Sequence, residues 1–315
     1  MEQQYVGWDY FFYPKPEDGD EDPPTWHEIR ILREFVERFE NDDEVPADDA
    51  ARRLISLCDE DQQIEKRGDF ANKGDRVSWL LWDVGIFMPR YQRAVLKVVE
   101  AVRALPALER TECQIRSGRF ADRLLQWKKL EKFEEIWTDR SIYYWNIPRY
   151  GSFPFEGLDG FVIMNAFQAN HLSTYPPSST MSPELSCAFR MIVFALEQDP
   201  WNHTPVLSYS RYNNRYGTGH IQMLNTDIRG LAPYIEISGP VLFQFLGRSD
   251  LSSLEAVKLP DSNLWKGNSL FSMQRWQFWK QRLVWISKQD ELMDSTRGLA
   301  ARLVISMQEI EENSM

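Results

Sequence analysis

The sequence predicts an all-α fold: a single multi-helix globular domain of about ten helices with little or no sheet. Apolar residues recur three and four positions apart through most of the 315 residues, which is the spacing of a helix with one buried face. Capping residues precede several of these segments, and no segment shows the sustained alternation of a half-buried strand. We therefore expect an acidic and aromatic N-terminal segment, partly loop, at residues 1–24 and one helical domain at residues 25–315.

Five helices are predicted in the first half of the chain. Thr25 and Glu28 have the spacing of a capping box, in which each side chain accepts a hydrogen bond from the backbone N–H of the other. Prolines bound the next segments, so the first four helices are predicted near residues 25–40, 46–58, 77–84 and 89–106. The fifth is predicted over residues 120–137, where apolar residues that include Leu124 share one ridge.

Five more helices are predicted in the second half. Ser182-Pro183 is a capping residue followed by a proline in the first turn, and Ser272 and Ser295 are predicted to begin the last two helices. Pro233 and Pro240 must kink or divide the segment that contains them, because proline has no N–H to donate. These helices are predicted near residues 161–172, 182–196, 226–246, 272–287 and 295–310.

The net charge of −11 is concentrated near the N-terminus. Between Glu17 and Asp61 there are 17 acidic and 5 basic residues, so the remainder of the chain is nearly neutral. A protein that binds nucleic acid needs a basic footprint on its surface, which this balance does not favour. We therefore expect no nucleic-acid partner and interpret the acidic segment as a solvated surface.

Cysteine spacing and hydropathy predict a soluble, intracellular protein. The three cysteines are far apart and odd in number, which is typical of a reducing compartment rather than of a disulfide framework. The most apolar stretch, from Val77 to Met88, is too short to cross a bilayer. The first residues, Met1 to Tyr13, lack the basic start and apolar run of a translocation signal. We predict a cytoplasmic location, with a nuclear one left open, and no membrane partner.

The motifs of common cofactor and metal sites are missing from the sequence. It contains no GxxxxGK[ST] or GxGxxG phosphate loop and no GxSxG nucleophile turn. The four histidines lack the HExxH and paired-cysteine spacings of zinc sites. We therefore predict no cofactor and no metal, and these motifs assign no catalytic residue.

Two windows of the chain contain basic and aromatic residues but no acidic ones. The first lies in a predicted long loop insertion at residues 199–222, which lacks a helical period. Arginine beside aromatic rings can bind a phosphate or carboxylate, and histidine titrates near neutral pH. The loop is either a solvated surface insertion or a ligand or partner site, for which the candidates are Trp201, His203, Arg211, Tyr212, Arg215, Tyr216 and His220.

The second window, residues 262–289, contains a predicted helix with a tryptophan-rich stripe. Trp276 and Trp279 share this stripe with two aliphatic residues at helical spacing, so we predict that both rings are buried and structural. The basic residues beside the stripe either extend their charged ends to solvent or bind an anion, and the candidate binding residues are Trp265, Lys266, Arg275 and Arg282. We expect one of the two windows to pair its cations with an anionic ligand or with the acidic N-terminal segment.

One pattern in this second window carries a family resemblance. It begins as LWKG at residues 264–267 and continues as FSxxRWxFWKxR at residues 271–282. This pattern resembles that of a fungal, all-helical and uncharacterised family, domain-of-unknown-function family 3632, and residues 161–172 and 224–246 resemble it too. The resemblance implies a fungal source, an all-helical fold and an association with genes of specialised metabolism. It implies no catalytic residues.

Two functions from different classes remain open at this stage. The missing cofactor motifs favour an intracellular fungal accessory or interaction protein, associated with specialised-metabolite biosynthesis and binding a protein partner. The alternative is a cofactor-independent enzyme of cyclase or isomerase type that acts on a small aromatic or anionic molecule. The 18 Phe, 12 Trp and 12 Tyr suit either a large core or an aromatic-lined pocket. Such an enzyme needs only a shaped pocket with one or two placed donors or bases.

Overall fold

The computed structural model contains ten α-helices and one very short sheet among the residues that it describes, which confirms the all-α prediction. The described residues are 8, 24–41, 45–60, 73–106, 108–109, 124–125, 136, 160–176, 183–200, 220–246, 264–267 and 272–314. The chain divides into two compact units, residues 1–139 and 140–315. The single domain over residues 25–315 stays a prediction.

The first unit contains four helices whose apolar faces form its core. They are α1 (Pro24–Glu40), α2 (Ala47–Glu60), α3 (Lys73–Phe87) and α4 (Gln92–Ala104), with a 3₁₀ turn at Pro89–Tyr91 before the last. Each of the four helices packs against the other three, and their apolar residues, such as Leu32, Leu54, Leu81 and Val99, are buried at the centre. All four predicted helices are confirmed, although α1 begins one residue before its predicted cap.

A proline explains a buried side-chain bond between α3 and α4. In a helix the carbonyl of residue 85 would accept from the N–H of residue 89, but Pro89 has no N–H. The side chain of Gln92 replaces that donor, because its Nε2 donates to the carbonyl oxygen of Gly85 at 3.0 Å in a buried position. The chain can therefore turn between the two helices without leaving this carbonyl unpaired.

The prediction of a fifth helix over residues 120–137 is wrong at residues 124–125. Leu124–Leu125 form a two-residue strand that pairs antiparallel with Leu108–Glu109. Leucine suits both a helix and a strand, and the outcome at these residues depends on pairing with a distant segment rather than on local spacing. Ile136 is helical, and the other residues of the predicted 120–137 helix lie outside the described residues.

The second unit contains six helices arranged around α7. They are α5 (Gly160–Thr174), α6 (Pro183–Leu196), α7 (Leu224–Glu236), α8 (Gly239–Gln244), α9 (Met273–Ile286) and α10 (Asp294–Ser314). Helix α7 packs against α5, α6, α8 and α10, while α9 packs against α6 and α10. Pro233 lies inside α7 and Pro240 lies in the first turn of α8, so the predicted division of residues 226–246 is confirmed.

Helices α5 and α7 approach each other closely at a glycine. A Cβ atom added to Gly230 of α7 would overlap the aromatic ring of Phe161 on α5. Both residues are buried, so the ring has little space into which it could move. This close contact helps to place α5 in the interior of the second unit.

None of the described helices is both long enough and apolar enough to span a membrane.

Candidate functional site

Helix α5 is the most unusual helix of the second unit, because it is buried around most of its circumference yet contains polar residues. Its buried apolar residues include Phe161, Met164 and Phe167. A helix with apolar residues on every side is expected in the interior of a protein. On α5, however, the three polar residues Asn165, Gln168 and His171 are at most 1% exposed. We call these three residues and Glu184 of α6 the polar row.

The amide groups of the polar row are only partly hydrogen-bonded. Asn165 donates from Nδ2 to the carbonyl oxygen of Phe161 at 2.8 Å, and its Oδ1 has no partner among the described residues. Gln168 is completely buried, and within the described part of the chain neither its Oε1 nor its Nε2 finds a partner. Most buried polar side-chain atoms in proteins are paired, so three open amide atoms in one turn of a core helix indicate a special role.

A titratable pair lies at the other end of the polar row. Nδ1 of His171 is 3.2 Å from Oε1 of Glu184, and the two side chains are 1% and 6% exposed. The distance is that of an ion pair when the imidazole is protonated. The ring of His171 also contacts that of Tyr175 edge-on, with centroids 5.8 Å apart. A carboxylate beside a buried imidazole can hold the ring in one orientation and stabilise its protonated form.

A second cluster joins α9 to the end of α6 through a buried ion pair. Ser272 caps α9, because its hydroxyl accepts from the N–H of Arg275 at 3.1 Å, as predicted. Arg275 binds Glu197 in a bidentate manner, with Nε to Oε1 at 2.6 Å and Nη2 to Oε2 at 2.7 Å. Trp279 donates from Nε1 to the same carboxylate at 2.6 Å. We call Glu197, Arg275 and Trp279 the ion-pair cluster.

The ion-pair cluster corrects one sequence interpretation and confirms another. Arg275 does not extend its charged end to solvent, because its side chain is only 6% exposed and that of Glu197 is completely buried. The partner of this cation is thus an acid of the same unit rather than the acidic N-terminal segment. Trp276 and Trp279 are both completely buried, so the predicted structural role of the tryptophan stripe is confirmed.

One carboxylate of the last helix, α10, pairs with several donors of α9. Glu311 accepts hydrogen bonds from Nε1 of Trp276 at 2.9 Å and from Nε2 of Gln277 at 3.0 Å. Both of its oxygens also lie 2.7 Å from Nζ of Lys280. One glutamate therefore pairs three donors of α9, and this part of the acid-free window is balanced by an acid from a neighbouring helix.

The other candidates of the second window have different environments. Nε of Arg282 donates to the carbonyl oxygen of Leu196 at 3.1 Å, and its guanidinium lies 4.3 Å from the ring centre of Trp285. Burial lowers the pKa of Arg282, while the charge of Asp199 acts in the opposite direction. Arg275 lies 5.9 Å from the ring centre of Trp265, whereas Lys266 is exposed.

The loop candidates are almost entirely untested. His220 begins a 3₁₀ turn at His220–Met223, which corrects the end of the predicted loop. The remaining candidates lie outside the described residues, namely Trp201, His203, Arg211, Tyr212, Arg215 and Tyr216. Their role in binding a ligand or partner, like that of the four candidates in the second window, stays a prediction.

The fold and the polar row together describe a helical protein that has incompletely paired polar groups inside its second unit. No group of three or more His, Cys, Asp or Glu side chains that could hold a metal ion occurs in the described part of the chain. A family model described as "Protein of unknown function (DUF3632)" matches residues 81–283, and the chain belongs to this family. No curated protein and no solved structure matches the chain significantly.

Sequence reasoning missed the polar row and the acidic partner Glu197. One signal for the polar row was present, because Asn165, Gln168 and His171 interrupt a run of apolar residues that has no polar face. A helix of this kind is buried, and its polar residues are buried with it. No comparable signal identified Glu197, because its pairing with Arg275 joins residues 78 positions apart.

Proposed function

We propose that the second unit binds a small molecule at the polar row and acts on it as a cofactor-independent enzyme of isomerase or cyclase type. This is the second of the two functions that the sequence leaves open. One observation carries the proposal: Gln168 is completely buried on a core helix, and both polar atoms of its amide lack a partner among the described residues.

The cost of this arrangement argues for a role other than stability. A buried polar group without a hydrogen bond costs about 1–3 kcal/mol, and Gln168 has two such atoms. An apolar side chain at this position would avoid that cost and would fill similar space. Binding sites commonly retain residues that reduce the stability of the free protein, because those residues pair with a ligand when it binds.

The titratable pair supplies the chemistry that an isomerase or cyclase requires. A neutral imidazole can accept a proton from a bound molecule and return it at another atom. Glu184 lies within 3.2 Å of the His171 ring and would stabilise the imidazolium that forms after the first transfer. The amides of Asn165 and Gln168 would orient the molecule in the same interior. Such a reaction needs neither a metal nor a redox cofactor.

The family resemblance favours an enzyme of fungal specialised metabolism that acts on a small aromatic molecule. The apolar and aromatic composition of α5 and α6 suits a substrate of that kind. Residues such as Phe167 and Phe189 are completely buried on these two helices. An apolar body with one polar edge is the substrate shape that this interior favours.

The proposal is tested by returning variants to a strain from which the gene has been deleted and comparing metabolite profiles. We expect Gln168→Met, His171→Gln and Glu184→Gln to fail to restore the parental profile when each variant is expressed to the protein level of the parent. The matched control is Gln222→Met, which changes an exposed glutamine of the same unit and should restore it.

The outcomes separate catalysis from an accessory role. If the His171 and Glu184 variants restore the profile and the Gln168 variant does not, the polar row binds without catalysing, as the accessory interpretation predicts. If all three variants restore the profile, the polar row has no function and the proposal is wrong.

A further inference from the structure

We infer that the polar row recognises a neutral ligand in which an N–H donor and a C=O acceptor lie side by side, as in a lactam ring. This inference rests on the proposed binding function and adds the chemical class of the ligand. It follows from the open amide atoms on α5, chiefly the adjacent acceptor and donor of Gln168, with Oδ1 of Asn165 as a further acceptor.

The structure assigns the open atom of Asn165. Its Nδ2 is used in the bond to the carbonyl oxygen of Phe161, and only an NH₂ group can donate to a carbonyl. The remaining atom, Oδ1, is therefore an acceptor with no donor among the described residues. A ligand that satisfies this atom must bring an N–H or O–H group in addition to the one that pairs with Oε1 of Gln168.

Gln168 offers an acceptor and a donor on the same planar group. A carboxamide can form two parallel hydrogen bonds with a partner whose own donor and acceptor are adjacent and point in the same direction. The edge of a cyclic amide has this form, because the ring holds its N–H and C=O on one side. Exchanging the oxygen and nitrogen of Gln168 leaves the match intact, since the ligand edge can bind in the reversed orientation.

Charged ligands fit the open atoms less well. A carboxylate brings only acceptors, so it would satisfy Nε2 of Gln168 but would place negative charge beside Oε1 and beside Oδ1 of Asn165. An ammonium group brings only donors and would leave Nε2 unpaired. Burial increases the cost of each mismatch, because bulk solvent does not replace the missing bond.

The body of the ligand is expected to be apolar and aromatic. Helices α5 and α6 bring mainly apolar side chains to the interior of the second unit, and Met164, Leu172 and Ile192 are completely buried. The remainder of the ligand would contact side chains of this kind. A bicyclic aromatic lactam combines the required polar edge with such a body.

The inference is tested with quinolin-2-one as a probe and the full chain as the protein. We expect the probe to raise the melting temperature and to bind in calorimetry, with at least tenfold weaker binding of the N-methyl analogue, which has lost the donor. 2-Naphthoate, which presents only acceptors, should bind at least tenfold more weakly than quinolin-2-one. Gln168→Met should reduce quinolin-2-one binding at least tenfold, and Gln222→Met should leave it unchanged.

The possible results distinguish this inference from the proposed function. If 2-naphthoate binds better than quinolin-2-one and its binding requires Gln168, the ligand class is wrong while the binding function stands. If no probe binds, the inference is overturned, and the metabolite test then decides the proposed function independently. If Gln168→Met lowers the melting temperature of the free protein, water or Asn165 already satisfies this amide, and the inference fails with its premise.

Discussion

The ion-pair cluster allows a quantitative test of how α9 is attached to α6. The perturbation is a double-mutant cycle in which Arg275→Met and Glu197→Met are made separately and together. Methionine is unbranched and apolar, so it can occupy much of the space of either side chain without bringing a polar atom. The matched control is Arg297→Met on α10, which removes an arginine that pairs with the exposed carboxylates of Asp290 and Asp294.

The magnitude follows from the burial and the hydrogen bonds of the cluster. Glu197 is completely buried and accepts three short bonds, two from Arg275 and one from Trp279. Either single substitution leaves one charge buried without its partner, which costs about 3–5 kcal/mol. The double variant removes both charges and leaves only the indole N–H unpaired, at about 1–3 kcal/mol. The double variant should therefore be more stable than either single variant.

The assay is urea denaturation of the full chain, followed by tryptophan fluorescence and circular dichroism to separate the transitions of the two units. We expect a coupling free energy of about 3 kcal/mol or more between the two positions. The control, Arg297→Met, removes an arginine whose carboxylate partners are exposed, so it should cost much less than either single substitution in the cluster. Additive effects, or single substitutions that cost no more than the control, would refute the argument that this pair is desolvated.

Three further predictions concern the free energy of unfolding. Gln168→Met should stabilise the protein by about 1–3 kcal/mol, because it removes an unpaired buried amide. The same change at Gln92, whose amide is hydrogen-bonded, should destabilise the protein, and equal effects of the two changes would contradict the interpretation of Gln168. Trp279→Ala should cost about 3–5 kcal/mol, since the ring is completely buried, and unchanged thermal stability would show that the ring is not packed. Gly230→Ala should cost about 1–3 kcal/mol, because its Cβ would overlap a ring of α5. Gly298→Ala on α10, where a Cβ would have nothing within 4 Å, should stabilise the protein by about 0.4–1 kcal/mol. Urea midpoints in the opposite order would refute the close contact at Gly230.

Local signals were sufficient to predict most of the helices. Ser272 was predicted to cap α9 from its position before an apolar periodic segment, and its hydroxyl accepts from the N–H three residues later. Pro240 was predicted to divide a long segment, and it lies in the first turn of α8. These predictions succeeded because capping and proline effects act within one turn of the chain. The prediction at Leu124 failed because strand pairing with Leu108–Glu109 is a distant effect.

The candidate site was less accessible to sequence reasoning than the helices. Arg275 was selected as a cation in a window without acids, but the identity of its partner requires that the end of α6 lie against α9. The sequence does not single out Gln168, because one polar residue in an otherwise apolar helix has no distinctive spacing. Its importance depends on the absence of a partner among the described residues, which no spacing rule can reveal.

The sequence by itself determined the all-α class, the positions of most helices and the burial of the tryptophan stripe, because each of these depends on periodicity and capping within a few residues. Only the tertiary structure decided which charges neutralise each other and which polar atoms stay open. Glu197 pairs with Arg275, and Glu311 with Lys280, across 78 and 31 positions of the chain. Pairing of this kind depends on distances in space that are established only when the helices pack. For the same reason the polar row, where our functional proposal lies, became recognisable only after α5 was placed in the core.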